Sequence, residues 1–195
     1  MTISELRQIE CNKYESIYID RNGHYRSNND MRGYGRNNHG KQMIPYIIEL
    51  NPASLLDIGC GFGVFCNEIQ KSGIEKVYGL DIASVKTGNI INNSNITFIS
   101  GEAHSLPFAN NSIDIVTSFD VMEHCLENDI DIIFSEINRV VKDRVILSIA
   151  YRQSKEDTDG IILHMTVRLK DWWVEKLNKL FNVEYMDKYL ICHKR

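Results

Sequence analysis

The chain has little of what marks a secreted, zinc-stabilised or membrane protein. Its five cysteines form no Cys-x-x-Cys pair and are odd in number, so the sequence predicts neither a disulfide framework nor a structural zinc site. No stretch approaches the roughly 18 uncharged apolar residues that a membrane helix needs, and the first residues lack a secretory signal pattern. We therefore expect a cytoplasmic protein with no membrane partner.

An excess of positive charge is also absent, since the 195 residues carry a formal net charge of -4. A chain of this charge has no overall attraction for nucleic acid, and we expect no nucleic-acid partner. The length and the 43% hydrophobic content are those of one globular domain with one core. The sequence thus predicts a single domain over residues 1–195, and no pattern in it indicates an oligomeric state.

Short runs rich in β-branched residues alternate with helical patterns from about residue 52 onwards. This alternation predicts a parallel sheet with helices on both faces. The predicted strands are residues 54–58, 76–82, 95–100, 113–119 and 143–150. The predicted helices are residues 40–50, 128–142 and 169–181, together with one that follows Val64 and ends at Gly73.

Three segments follow from this pattern: an N-terminal segment (1–50), a core (51–150) and a C-terminal segment (151–195). Within the first, residues 21–41 are rich in glycine and asparagine and carry four arginines and one lysine against one aspartate. Such a stretch is either a solvated loop or a lid that closes over an anionic group.

A glycine-rich turn follows the first predicted strand, in the stretch LLDIGCGFGVF (55–65). Its glycines are spaced G-x-G-x-G, and Val64 stands where a dinucleotide fingerprint places its third glycine. The carboxylate of Asp57, just before the turn, would repel a pyrophosphate. The turn therefore favours a cationic cofactor that contains a nucleoside, and it disfavours a dehydrogenase.

Four motifs in order over about residues 50–150 resemble the class I S-adenosylmethionine-dependent methyltransferases. They are DIGCGFG (57–63), VYGLDIA (77–83), GEAHSLPF (101–108) and SIDIVTSFDVMEH (112–124). The resemblance implies an α/β, Rossmann-like, doubly wound fold with a seven-stranded, mostly parallel sheet. It also implies a C-terminal antiparallel hairpin, which VEYMDKYLICHK (183–194) can form with its turn at Asp187 and Lys188.

The same resemblance implies S-adenosyl-L-methionine as cofactor, S-adenosyl-L-homocysteine as product, and a set of cofactor contacts. The glycines would pass beneath the methionyl part, and Asp57 would organise its ammonium group. Asp81 would bind both ribose hydroxyls, which suits a carboxylate with two oxygens. An acid after the third strand would contact the adenine amino group, and the end of the fourth strand would lie beside the methyl. The implied contacts are Asp57, Gly59, Gly61, Gly63, Asp81, Ile82, Glu102, Ala103, Phe119 and Asp120.

A hydroxyl or amine acceptor must lose a proton, and a histidine of near-neutral pKa is a natural recipient. His124 and His164 are the candidate bases, although each is equally compatible with a structural role. Tyr34, Arg36 and Trp172 are candidate acceptor contacts, whereas Trp173 lies on the apolar helix face and is predicted to be core. Residues after 150 leave little room for a domain that recognises a macromolecule, so we expect a small-molecule acceptor.

Two alternatives stay open. Asp120-x-x-Glu123-His124 with the distant His164 resembles the metal site of some RNA 2'-hydroxyl and quinone-pathway methyltransferases, but Glu-His after this strand also occurs in members that use no metal. We predict a site without a metal and keep a metal-assisted O-methyltransferase as the alternative. The second alternative is a non-catalytic module that binds S-adenosylmethionine or a nucleotide, because fold alone does not ensure turnover.

Overall fold

A computed structural model describes residues 1–19, 39–83, 93–154 and 162–195. These residues form two compact units, 1–102 and 103–195. The single domain expected from the sequence remains a prediction, and each unit is described by itself.

The described residues of the first unit form three parallel strands. They are β1 (Ser54–Ile58), β2 (Lys76–Asp81) and β3 (Ile96–Ser100), and β2 pairs with both of the others. Every residue of β1 is buried, which explains its nearly continuous apolar sequence. The strands follow the sequence prediction to within one residue.

The helices of the first unit lie before and between these strands. They are α1 (Ile3–Tyr18), α2 (Ile44–Glu49, preceded by a 3-10 turn at Lys41–Met43) and α3 (Val64–Lys71). Helix α3 buries Phe65, Cys66 and Ile69 on one face. The chain then leaves the helix at Gly73, whose φ of 110° favours glycine.

Helix α1 was not predicted, although the sequence contains its start signal. Thr2 and Glu5 form a capping box: the Thr2 hydroxyl accepts from the Glu5 N–H (3.3 Å), and the Thr2 N–H donates to the Glu5 carboxylate (2.7 Å). This Thr-x-x-Glu pattern satisfies two N–H groups that a helix start leaves unpaired.

The described residues of the second unit form four strands and two α-helices. They are β4 (Ile113–Phe119), α4 (Ile130–Val140), β5 (Val141–Ser148), α5 (Lys170–Leu177), β6 (Phe181–Met186) and β7 (Tyr189–Lys194). Strands β4 and β5 are parallel, whereas β7 is antiparallel to both β5 and β6. The hairpin turns at Asp187, whose φ is 57°, as the sequence predicted.

Within the described residues, the sheet has seven strands in the order β3-β2-β1-β4-β5-β7-β6. A mostly parallel sheet with helices between β1 and β2 and between β4 and β5, ending in an antiparallel pair, is the predicted fold class, which is thereby confirmed. No helix within the described residues combines the length and apolar character needed to cross a membrane.

The sequence prediction extended two helices beyond their observed C-terminal ends. Helix α4 stops at Val140, because Val141 is extended and pairs with Ile113. Helix α5 stops at Leu177, and Phe181 opens β6. At the other end of α5, Leu169 was the first residue of the predicted helix but is its N-cap and 79% exposed.

Candidate functional site

The glycine turn (residues 59–63) joins β1 to α3 and is fastened to the end of β2. The Gly59 N–H donates to the Leu80 carbonyl (2.7 Å), and the Gly61 N–H donates to Asp81 Oδ2 (2.8 Å). The φ angles of its three glycines are 75°, 53° and 78°, a region in which other residues are strained. The first motif is therefore held directly against the acid of the second.

A glycine is needed at position 63 because the ring of Phe98 leaves no room for a Cβ atom there. A Cβ at Gly63 would lie 2.4 Å from Cζ of Phe98, and one at Gly79 would lie 2.9 Å from Cδ1 of the same ring. The Phe98 ring of β3 thus packs across two glycines. At Gly63, the Phe98 ring approaches the backbone this closely.

Asp81 ends β2 as a buried carboxylate, 4% exposed. Its Oδ2 accepts from Gly61, and its Oδ1 accepts from the Ala83 N–H (3.0 Å). Desolvation raises the pKa of Asp81 above its ordinary value, against the two backbone hydrogen bonds that stabilise the ionised form. Since a carboxylate accepts at about four lone-pair positions, these two backbone bonds leave acceptor capacity for further donors.

Helix α1 brings two residues to this acid that the sequence interpretation missed. The Tyr18 hydroxyl makes a long hydrogen bond to Asp81 Oδ2 (3.5 Å), and the Cys11 thiol donates to the Ile82 carbonyl (3.5 Å). Desolvation, with the charge of Asp81, raises the pKa of Tyr18 well above its ordinary value. The capping box of α1 was the available signal for this helix, but nothing local indicates where the helix packs.

The other two predicted acids of the first unit differ in burial. Asp57 is 4% exposed within β1, and the Cys66 thiol donates to its Oδ2 (3.8 Å). Glu102 is half-buried and lies near enough to Cys11 to contribute to the raised pKa of that thiol, after desolvation and the charge of Glu15. Ala103 opens the second unit and is also half-buried.

In the second unit, the end of β4 bends sharply at Asp120. Its φ is 55°, a left-handed conformation that is uncommon outside glycine and is found at functional sites. Ser148 holds the bend, since its carbonyl accepts from the Asp120 N–H (2.9 Å) and its hydroxyl donates to Asp120 Oδ1 (2.6 Å). The ring of Phe119 meets that of Tyr189 edge to face at 5.9 Å.

Glu123, His124 and His164 come together in this unit, and we call them the Glu-His-His cluster. Glu123 and His124 belong to the 3-10 turn Met122–His124. The two imidazole rings meet edge to face with centroids 4.7 Å apart. One potential metal-ligand atom from each of the three residues lies within 4.8 Å of the others. The two histidines predicted as bases are thus neighbours.

Both histidines contact backbone carbonyls through Nδ1. His124 Nδ1 lies 3.0 Å from the Leu163 oxygen, and His164 Nδ1 lies 2.6 Å from the Arg152 oxygen. A carbonyl only accepts, so each Nδ1 carries the proton and donates it. A neutral ring then carries its lone pair on Nε2, which is the basic nitrogen of the ring.

Glu123 is fully buried, with 0% exposure. Its Oε1 accepts from the Ala150 N–H (3.1 Å), whereas Oε2 has no hydrogen-bond partner among the described residues. Desolvation raises the pKa of Glu123 to about 8, and the charge of Asp120 adds to the rise.

The three predicted acceptor contacts have different outcomes. Tyr34 and Arg36 lie outside the described residues. The ring of Trp172 is half-buried and lies beside the ammonium group of Lys176 (4.7 Å) and the guanidinium group of Arg168 (5.8 Å). Trp173 is fully buried, as predicted.

Residues 56–149 match the family model described as "Methyltransferase domain". They include the glycine turn, Asp81 and the end of β4. This region is a class I S-adenosylmethionine-dependent methyltransferase domain. The match confirms the family and the cofactor predicted from the sequence.

One curated relative shares part of this methyltransferase domain. It is the biotin biosynthesis bifunctional protein BioHC of Cellvibrio japonicus (strain Ueda107), 32% identical over 106 residues. The match covers 53% of this chain and 20% of that protein, so the chain corresponds to one part of a longer relative.

Solved structures share the fold over most of the chain. Magnesium protoporphyrin IX methyltransferase (ChlM) from Synechocystis PCC 6803, with S-adenosylmethionine bound, has a TM-score of 0.68 at 16% identity and covers 95% of this chain and 97% of that one. The PH0226 protein from Pyrococcus horikoshii OT3 has a TM-score of 0.63 at 20% identity, covering 93% and 98%. At these identities the likeness concerns the fold.

Proposed function

We propose that the chain transfers the methyl group of S-adenosylmethionine to a hydroxyl or amine of a small-molecule acceptor. The observation that carries this proposal is Asp81, a buried carboxylate at the end of β2 to which the glycine turn is hydrogen-bonded within a methyltransferase domain.

The residues of the first unit fit the cofactor. Asp81 receives one backbone N–H on each oxygen and a long hydrogen bond from the Tyr18 hydroxyl on Oδ2, so two further donors would fit only if the ribose displaced Tyr18 from one of the positions. A ribose offers two adjacent hydroxyl donors, which match those positions. The buried setting also strengthens such hydrogen bonds relative to water.

The remaining cofactor contacts follow the order of the motifs. Asp57 and the glycine turn would serve the methionyl part, Ile82 would pack near the ribose, and Glu102 with Ala103 would serve the adenine. Phe119 and Asp120 would lie beside the methyl group. The left-handed backbone at Asp120 supports a functional role at this position.

When bound, the sulfonium of this cofactor supplies an already activated methyl group. The chain's own residues then have to orient the acceptor and accept its proton. His124 and His164 are suited to the second task, because their Nδ1 protons are held by the Leu163 and Arg152 carbonyls and Nε2 is the basic atom.

The net charge of the chain and the names of two similar proteins support a small-molecule acceptor. A net charge of -4 gives no overall attraction to nucleic acid. The names of one relative and one structural neighbour refer to biotin biosynthesis and to magnesium protoporphyrin IX, both of which concern small molecules. We propose the acceptor class and not its identity.

The first experiment is calorimetric titration of the purified protein with S-adenosylmethionine, S-adenosylhomocysteine and NAD. We expect micromolar binding of the first two and no binding of NAD. Asp81→Ala and the milder Asp81→Asn should weaken binding at least tenfold. Asp131→Ala, at an acid that is 64% exposed, should bind like the wild type.

Binding of NAD alone, or of none of the three, would overturn the proposal. Binding of S-adenosylmethionine with no transfer of labelled methyl to a panel of hydroxyl and amine compounds would favour the non-catalytic module. Far-UV circular dichroism of each variant separates a lost contact from a lost fold.

A further inference from the structure

Helix α1 contacts the end of β2, where the ribose of the cofactor is proposed to bind. Cys11, Tyr14 and Tyr18 recur at the i, i+3, i+7 spacing of one helix face, and Tyr14 is buried. The Cys11 thiol donates to the Ile82 carbonyl (3.5 Å), and the Tyr18 hydroxyl donates to Asp81 Oδ2 (3.5 Å). This face of the helix is therefore docked on the carboxyl end of β2.

Tyr18 also packs on the glycine turn. Its ring meets that of Phe62 with centroids 5.2 Å apart and planes inclined at 52°. Phe62 and Asp81 are only 3% and 4% exposed. A ligand as large as a nucleoside can reach Asp81 only if a neighbouring group moves, and Tyr18 is a side chain from a separate element that stands against this acid.

The two oxygens of Asp81 differ in what they can still accept. Each carboxylate oxygen has about two lone-pair positions. Oδ1 accepts from the Ala83 N–H (3.0 Å), whereas Oδ2 accepts from both the Gly61 N–H (2.8 Å) and the Tyr18 hydroxyl (3.5 Å). A pair of ribose hydroxyls that donates to both oxygens therefore needs the position on Oδ2 that Tyr18 holds.

The contact of Tyr18 is suited to release. Its hydrogen bond is 3.5 Å long, whereas an O–H···O bond is ordinarily about 2.7 Å, so the contact is weak. Tyr18 is the last residue of α1, and the last turn of this helix contains no basic side chain to stabilise it. Helix ends also open at a lower free-energy cost than helix centres.

We propose that Tyr18 occupies the position of one ribose hydroxyl on Asp81, so that S-adenosylmethionine binds only after the last turn of helix α1 releases this acid. A tyrosine hydroxyl and a ribose hydroxyl are donors of the same kind, and Oδ2 accepts one of them beside the Gly61 N–H. The helix thus competes with the cofactor. This inference concerns the regulation of the proposed cofactor site and rests on the proposed function.

Competition of this kind lowers the apparent affinity for the cofactor. If Asp81 is released in only a fraction of the molecules, the apparent Kd is the intrinsic Kd divided by that fraction. A change that draws α1 away from β2 then tightens cofactor binding, and by linkage a bound cofactor releases the end of α1.

The test is calorimetric titration of the wild type and of Tyr18→Phe with S-adenosylhomocysteine. The variant keeps the ring that packs on Phe62 and loses only the hydroxyl. We expect its Kd to fall about threefold to tenfold, as one weak hydrogen bond to a charged group requires. Tyr185→Phe is the matched control, because it removes the hydroxyl of a tyrosine on β6 that is 47% exposed. Its Kd should equal that of the wild type.

Hydrogen exchange of helix α1 (Ile3–Tyr18) gives a readout that does not depend on affinity. Without ligand, the last turn of α1 should exchange faster in Tyr18→Phe than in the wild type. Saturating S-adenosylhomocysteine should speed the exchange of the same turn in the wild type. Slower exchange on binding, together with a raised Kd in Tyr18→Phe, would show that Tyr18 contacts the cofactor and does not compete with it.

The two proposals fail separately. Equal binding of S-adenosylhomocysteine to the wild type and to Tyr18→Phe would reject the competition and leave the methyltransferase proposal standing. Absence of binding to both proteins, with far-UV circular dichroism showing both folded, would reject the proposed cofactor itself. Binding to Tyr18→Phe alone would support both proposals.

Discussion

At the scale of single residues, the glycines of the turn have different functions. The Gly61 N–H donates a hydrogen bond to Asp81, whereas Gly63 leaves room for the Phe98 ring because it has no side chain. Sequence spacing cannot separate the two, since both are glycines in a left-handed conformation. The distinction depends on which strand lies beneath the turn.

Gly63→Ala should therefore destabilise the protein more than Gly73→Ala. Both residues have positive φ, 78° and 110°, but a Cβ at Gly73 would meet nothing within 4 Å, while one at Gly63 would lie 2.4 Å from Phe98. We expect about 1 to 2 kcal/mol for Gly73→Ala from backbone strain, and a further 1 to 2 kcal/mol or so for Gly63→Ala from overpacking. Urea unfolding monitored by circular dichroism gives both values.

A double-mutant cycle with Phe98→Ala isolates the contact. In that background, the free-energy costs of Gly63→Ala and Gly73→Ala should become similar. An extra cost of Gly63→Ala that persisted without the Phe98 ring would show that the ring is not its cause.

At the scale of elements, side chains of helix α4 hold the end of the third motif (101–108) in place. Arg139 donates to the carbonyls of Phe108 (2.7 Å) and Leu106 (3.0 Å), and Glu136 accepts from the Leu106 N–H (2.9 Å). Glu136 and Arg139 also pair at 2.7 Å. A positive charge in the last turn of a helix is favourable, and Arg139, in the last turn of α4, also binds this loop.

Glu136→Gln should lower stability by about 1 kcal/mol at neutral pH, the value of one charge-assisted hydrogen bond at a partly exposed site. The hydrogen bond from Arg139 lowers the pKa of Glu136. A lowered pKa means that the stabilisation is present above the ordinary pKa of 4.5 and is lost as the pH falls below it. The difference between wild type and variant should thus shrink between pH 5 and about pH 3.

Asp131→Asn is the matched control. Asp131 also pairs with a cation on the surface, Lys176 at 2.8 Å, but its side chain is 64% exposed. It should change the free energy of unfolding by less than about 0.5 kcal/mol at any of these pH values. A Glu136→Gln difference independent of pH would contradict the electrostatic explanation.

The helices and strands show which parts of the fold could be predicted from the sequence alone. Strands were predicted closely because buried parallel strands give unbroken apolar runs bounded by turn residues. The end of α4 was missed because Val140 and Val141 fit a helix and a strand equally well, and only pairing with Ile113 decides. Helix α1 was missed because its apolar pattern is weak, although Thr2 and Glu5 marked its start.

At the scale of the whole molecule, the resemblance predicted the fold and which residues belong to the candidate site but not how they touch. His124 and His164 were proposed separately, and their contact depends on bonds such as those of Thr166 that join positions 41 residues apart. Likewise, no local pattern indicates that Tyr18 reaches Asp81, 63 residues further along the chain. Long-range contacts of this kind are set by packing and not by local preference.

The described residues form two compact units, and the methyltransferase match covers parts of both. Whether they unfold as one domain can be measured, because the two tryptophans of the chain, Trp172 and Trp173, are both in residues 103–195. Tryptophan fluorescence therefore reports the second unit, whereas far-UV circular dichroism reports both. For the single domain predicted from the sequence, the two urea transitions should coincide.

Adding S-adenosylhomocysteine sharpens this test, since the proposed Asp81 contact lies in the first unit. At 100 times its Kd, a ligand that binds only the folded state adds about 2.7 kcal/mol of stability. In one cooperative domain, the fluorescence transition of the second unit should shift by the same free energy as the dichroism transition. A fluorescence transition that stays in place while the dichroism curve splits would show that the chain unfolds as two domains and that the cofactor stabilises the first alone.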